Sequence, residues 1–96
     1  MFTGIVEEKG KVLTLKKAKN LYVLEIQAPR IAYDLKAGDS VCVSGVCLTA
    51  TKVKTGQISF DIMRATIEAS SLGFLRPGNF VNCERALKVG SRFSFF

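Results

Sequence analysis

Short runs of alternating apolar and polar residues, each ended by a turn signal, constrain this chain more than any other feature. Ile58, Phe60 and Ile62 alternate with Ser59 and Asp61, and Tyr22, Leu24, Ile26 and Ala28 share one face opposite Glu25 and Gln27. A period of two belongs to a half-buried strand, not to a helix. Lys19-Asn20, Pro29, Lys36-Ala-Gly-Asp39, Thr55-Gly56 and Arg76-Pro-Gly-Asn79 supply the punctuation. Pro29 stops a ladder because it has no N–H to donate. The spacing predicts strands over 2–7, with Gly10 closing a turn, and over 11–17, 21–28, 58–62 and 80–86. Residues 41–54 read as a bent strand pair or one long bulged strand. Helix is confined to a turn within Arg30–Leu35 and a short helix over Ala65–Leu72, with Ala69 and Leu72 facing inward and Gly73 at its end. About six strands at near-regular spacing point to an all-β fold, a small antiparallel barrel.

Ninety-six residues suit one domain, 1–96, and 48% of them are hydrophobic, too many for a disordered chain. No apolar run reaches the roughly 20 residues that span a bilayer, and the start lacks the basic head and long apolar stretch of a signal peptide. The expectation is a cytoplasmic protein with no membrane association. Cys42, Cys47 and Cys83 are an odd set, without a Cys-x-x-Cys spacing and without any His in the chain. Neither a disulfide framework nor a metal site is expected. The missing His also removes the commonest general base near neutral pH.

The net charge is +6, with much of the excess at Lys9, Lys11, Lys16, Lys17 and Lys19. Such a cluster on a small barrel fits a single-stranded nucleic-acid surface. It fits better a solvated hairpin whose lysines discourage edge-to-edge aggregation, because the aromatic residues are not interleaved with those lysines as stacking platforms would be.

The segment from Gly38 to Thr49 carries the most chemistry. Val41 and Val43 alternate with Cys42 and Ser44, Gly45 breaks the alternation as at a bulge, and Cys47, Leu48 and Thr49 follow. A thiol and a hydroxyl beside a kink can line a pocket. The same residues also fit an ordinary bulged strand, since free Cys is commonly a small buried hydrophobe.

Five segments decide between these readings: Met1-Phe-Thr-Gly-Ile-Val-Glu7, Gly38-Asp-Ser-Val41, Gly45-Val-Cys-Leu-Thr49, Ser59-Phe-Asp-Ile-Met63 and Val81-Asn-Cys-Glu-Arg-Ala-Leu87. In that order they resemble the N-terminal lumazine-binding domain of the alpha-type riboflavin synthases, over nearly the whole chain. Lumazine proteins, which are light-emission antennae, share this domain. The resemblance implies a six-stranded Greek-key barrel with one or two short helices. It implies 6,7-dimethyl-8-ribityllumazine or riboflavin as the bound small molecule, with no other cofactor required. The synthases dismutate two lumazines, one becoming riboflavin and the other leaving as a pyrimidinedione.

Mapped position by position, the ligand-binding segments are Gly4-Ile5-Val6, then Cys47-Leu48-Thr49, then Asp61, Ile62, Met63, Arg64, Ala65 and Thr66. A flat heteroaromatic ring needs apolar walls, which Ile5, Val6, Leu48, Ile62 and Met63 would supply. Its donor and acceptor edge needs main-chain groups and Thr66 at a helix start, and the ribityl chain needs hydroxyls such as Thr49. Ser40 and Cys47 match positions near the reacting centre and are the candidate catalytic residues. Each has a plainer role as well: Ile5, Leu48 and Ile62 as core, Met63 as gap filler, Thr66 as a cap, Asp61 as a solvated strand residue and Gly4 as relief of crowding. The chain departs from the family at Ala65, often acidic in synthases, and at Ser44, usually Asn or Asp. It also carries Ser91-Arg-Phe-Ser-Phe-Phe96 where the family places Gly-Gly-His. The family's chains continue into a second barrel and form trimers. A single barrel is expected to form a homodimer, and Phe93, Phe95 and Phe96 read either as an apolar surface for self-association, as cover for an unfilled part of the pocket, or as the result of a truncation.

Overall fold

The alternating runs become strands whose apolar positions turn to one interior. The computed structural model describes residues 2–87. The strands are β1 (Glu8–Ala18), β2 (Leu21–Gln27), β3 (Ser40–Val43), β4 (Val46–Lys54), β5 (Gln57–Met63) and β6 (Phe80–Arg85). Every pairing is antiparallel, and the order β1-β2-β5-β4-β3-β6 closes into a barrel. Strands β3, β4 and β5 follow one another as hairpins and β6 returns beside β3, which is a Greek key. Closure leaves the described sheet without a free edge.

Phe60, Leu24, Ile26, Ile58, Ile62, Val12, Val41, Val43, Val81 and Cys83 are fully buried in the interior. Helix α1 (Pro29–Ala32) follows β2, and helix α2 (Arg64–Ala69) follows the opposite end of the β2–β5 pair. Ile31 and Ala32 of α1 are buried at one end, and Ile67 and Leu72 are buried at the other. Two short helices thus plug a small barrel whose strands alone would leave its ends wet.

Several sequence expectations change. Residues 2–7 form no strand, and Gly10 lies inside β1, not in a turn. A Cβ at Gly10 would lie 3.0 Å from Cys83 Sγ and 3.1 Å from Ile26 Cδ1, so the glycine marks close packing across β1, β2 and β6. Gly45 is not a bulge: Ser44 (φ 46) and Gly45 (φ 86) form the two-residue turn of the β3–β4 hairpin. The helix after β5 ends at Ala69, which is exposed, and a separate 3-10 turn covers Ser71–Phe74. Gly73 sits within that turn because a Cβ there would meet the Ile67 carbonyl oxygen at 2.9 Å. Phe93, Phe95 and Phe96, like Ser91 and Arg92, lie outside the described residues.

Candidate functional site

A bulge interrupts the β4–β5 ladder next to two of the expected ligand segments, 47–49 and 61–66. Strands β4 and β5 stay in register from Lys54–Gln57 to Ala50–Phe60, with an irregularity between Ala50 and Lys52. Thr51 occupies it, and its hydroxyl donates to the Ser59 carbonyl at 3.2 Å. Beyond Ala50, residues Cys47 to Thr49 are registered with β3, and Asp61 to Met63 with β2. The β4–β5 ladder thus ends at Ala50–Phe60, and 47–49 and 61–63 are not registered with each other where α2 begins.

The ladder pattern fixes which main-chain groups face β5 there. Ser44 N donates to Asn82 O at 2.7 Å and Ala86 N to Ser40 O at 3.1 Å, so even-numbered residues of β3 bond toward β6. Ala50 N donates to Asp39 O at 2.8 Å, so even-numbered residues of β4 bond toward the β3 side. By alternation the N–H and C=O groups of Cys47 and Thr49 turn toward β5.

Side chains follow the opposite logic. Leu48 and Ile62 are buried at 6% and 1% exposure, inside the barrel. They cannot wall a ring with their side chains, as the sequence reading had them do, and can offer it main chain alone. Ile5, Val6 and Met63 are 68%, 48% and 67% exposed and remain available as apolar walls. Asp61, Arg64 and Ala65 are exposed. The Arg64 guanidinium is engaged by Glu68 at 2.9 Å, and that hydrogen bond holds it more firmly charged than usual. Thr66 is half-buried and is not the helix cap; Met63 takes that place, without a capping side chain. On the outer face of the β3–β4 hairpin, Ser40 lies opposite Thr49 and Cys42 opposite Cys47. The two candidate catalytic residues are therefore diagonal neighbours.

The segment Gly4-Ile5-Val6 is held by a residue the sequence reading passed over. Glu84 belongs to β6 at an outward-facing position, yet it is buried. Its carboxylate accepts from Thr3 N, from Thr3 Oγ1 at 2.7 Å and from Gly4 N at 3.0 Å. Two amides and a hydroxyl satisfy one buried carboxylate, and the strap they belong to covers it. Glu7 N then donates to Cys83 O at 2.9 Å, so the strap runs into β1. Arg85 clamps the same corner: its guanidinium binds Glu7 at 2.8 Å and also reaches Asp34. The hydrogen bond with Glu7 raises its pKa further. Glu8 Oε1 accepts from Ile31 N at 2.9 Å and ties α1 to the strap's base.

Gly4 and Val6 border a recess of about 290 Å³ with Cys42, Ser44, Gly45 and Asn82. Cys42 thus lies between the strap and Cys47. A second recess, about 560 Å³ near Pro29, Tyr33 and Gly56, contains none of the expected site residues. Nothing in the alternation of β6 marks Glu84 as buried. The available signal was its place between two inward residues and Arg85, beside a strap rich in main-chain donors. Among the described residues no group of His, Cys, Asp and Glu is placed to hold a metal. No helix of the described residues is long and apolar enough to cross a membrane.

Comparison with known proteins agrees with this fold. The lumazine binding domain family matches residues 3–86. Riboflavin synthase of Bacillus subtilis is 43% identical over 97% of this chain, and that of Mycobacterium bovis 47% identical over 96%. The chain spans 43% and 46% of their respective lengths, under half of each. Among solved structures, LumP complexed with 6,7-dimethyl-8-(1'-D-ribityl) lumazine superimposes with a TM-score of 0.83 at 30% identity, covering 95% of this chain and 51% of that one. LumP complexed with riboflavin gives 0.80, also at 30% identity, over 88% of this chain and 46% of that one. With a family match over almost all the described residues and this shared barrel, the chain belongs to the lumazine-binding domain family.

Proposed function

We propose that this chain is the N-terminal ligand-binding barrel of a riboflavin synthase and takes 6,7-dimethyl-8-ribityllumazine or riboflavin in the cleft between β4 and β5. The observation that carries this is the end of the β4–β5 ladder at the positions where the family pattern puts its ligand. The main-chain groups of Cys47 and Thr49 meet the polar edge of the ring, and Val6, Ile5 and Met63 cover its faces. Thr49, Ser40 and Thr66 supply hydroxyls to the ribityl chain and ring edge. Asp61, Arg64 and Ala65 shape the rim, with Leu48 and Ile62 contributing backbone. Glu84 positions the Gly4-Ile5-Val6 strap and touches no ligand itself.

In the dismutation two ligands lie face to face, so two barrels must meet. Much of the acceleration comes from holding them in that stack. Ser40 and Cys47 act near the reacting atoms. A chain with one barrel reaches the stack as a homodimer, and a two-barrel chain as the family's trimer. The reaction asks for no further cofactor, and free thiols fit the reducing cytoplasm.

Flavin fluorescence during riboflavin titration tests the binding. The wild type is expected to quench and saturate. Thr49→Val should weaken binding by about tenfold, the loss of one good hydrogen bond. Glu84→Ala should weaken it through a loosened strap. No saturation at any concentration up to millimolar ligand would overturn the reading. A second reading, a non-catalytic antenna, is favoured by Ala65 and by the likeness to LumP. A dimer that binds lumazine yet forms no riboflavin would select it.

A further inference from the structure

The β3–β4 hairpin places two thiols side by side, Cys47 on the strand next to β5 and Cys42 on the strand next to β6. Cys42 and Cys47 are direct cross-strand partners, one step from the Ser44-Gly45 turn. Directly opposed residues project to the same face of a sheet. Here that face is the outer one, because Val41, Val43 and Leu48 point inward. The pair is also of the closer kind. Even-numbered β3 residues bond toward β6, so Cys42 and Cys47 exchange no main-chain hydrogen bonds with each other. Such pairs hold their Cα atoms about 4.5 Å apart, at the near end of the range of roughly 4.4–6.8 Å that a disulfide bridges. Both are free thiols; Cys47 is exposed and Cys42 half-covered.

We propose that Cys42 and Cys47 are a dithiol that a hydroperoxide closes into a cross-strand disulfide beside the ligand cleft. The exposed Cys47 meets the oxidant first. Its sulfur attacks the peroxide, the O–O bond breaks, and a sulfenic acid forms with release of one water or alcohol. Cys42 sulfur then displaces the sulfenic oxygen as water and the S–S bond forms. Two thiols lose two electrons and two protons in all, and the peroxide takes them. The ring so closed is short, so the bond adds little stability by restricting the unfolded chain. That suits a reversible modification better than a structural staple. Cys83 takes no part: it is fully buried in the core, on the opposite face of the sheet from Cys42.

Closure also fixes the Cys47 thiol toward β3 and away from the β5 edge. On the ligand-cleft reading given above, which this consequence rests on, the oxidised protein binds riboflavin about tenfold more weakly, the equivalent of one lost ligand contact.

The test treats the reduced full chain with hydrogen peroxide and reads the peptide carrying residues 37–52, which holds both thiols. The expected product has lost two hydrogen masses, resists alkylation, and recovers both thiols with dithiothreitol. Cys83→Ala should close in the same way. Cys42→Ser should stop at a trappable sulfenic acid on Cys47, and Cys47→Ser should leave Cys42 alkylatable. Sulfinic acid on Cys47 with Cys42 still free, or dimers joined through Cys47, would overturn the proposal. Riboflavin titration of the reduced and oxidised forms runs alongside. If the reduced form fails to bind, the cleft reading falls while the mass still decides the disulfide. Equal binding by both forms, with the disulfide present, would overturn the coupling.

Discussion

Glu84 and Cys83 are neighbours on β6 and show how differently the same strand treats successive residues. Cys83 points into the core, where burial pushes its pKa from 9.0 up to about 11, against an opposing backbone hydrogen bond from Gly10. The folded thiol therefore keeps its proton where the unfolded one has lost it. Stability should be flat with respect to this group below pH 9 and fall as pH rises from there through about 11. The loss should total about 2–3 kcal/mol. Urea unfolding across that range measures it. Other groups titrate in the same window, so the quantity to compare is the slope against Cys83→Ala, which should lack this component. Identical slopes would mean that the core does not hold the thiol neutral. The inward place of Cys83 was legible from the alternation of Val81 and Cys83. The burial of Glu84 was not, because it depends on a strap that begins about eighty residues earlier in the chain.

At the scale of the element, several turns were legible from residue chemistry alone. The Lys19-Asn20, Thr55-Gly56 and 76–79 turns stand where their residue chemistry put them. Two glycines misled, for opposite reasons. Gly45 makes a hairpin turn through its positive φ, and a Cβ there would touch nothing within 4 Å. Gly10 needs no special φ and is squeezed by Cys83 and Ile26. Gly45→Ala should cost about 1–2 kcal/mol from the backbone alone, with no relief from any neighbouring substitution. Gly10→Ala should cost about 1–3 kcal/mol by overpacking, and Cys83→Ala should return part of that. Chemical denaturation of the two singles and the Gly10/Cys83 double measures both. An additive double would refute the packing explanation for Gly10. In sequence a glycine that turns the chain and a glycine that admits a neighbour look alike.

Across the whole molecule, closure depends on contacts between the ends of the chain. Glu8 pairs with Cys83 and Lys11 with Phe80, and Glu7 and Asp34 meet on Arg85. The barrel cannot shut until β6 arrives between β1 and β3. Such topologies fold in milliseconds to seconds, far slower than helical domains of the same size. Stopped-flow refolding should show a main phase in that range. Arg85→Ala should speed unfolding more than it slows folding, since its clamp joins elements that meet last. Microsecond refolding would rule out closure as the slow step.

The sequence by itself determined the barrel class, an approximate strand count, the alternation of β2, β3 and β5 and the family, because period-two alternation and turn chemistry are local properties. The cleft was legible only as a set of motif positions. Tertiary structure decided that the β4–β5 ladder ends at Ala50–Phe60, that Leu48 and Ile62 serve the core, that Glu84 holds the strap, and that two thiols five residues apart stand opposite each other. Each of these depends on which strand lies beside which and in what register, and register is settled by long-range packing, not by neighbours along the chain.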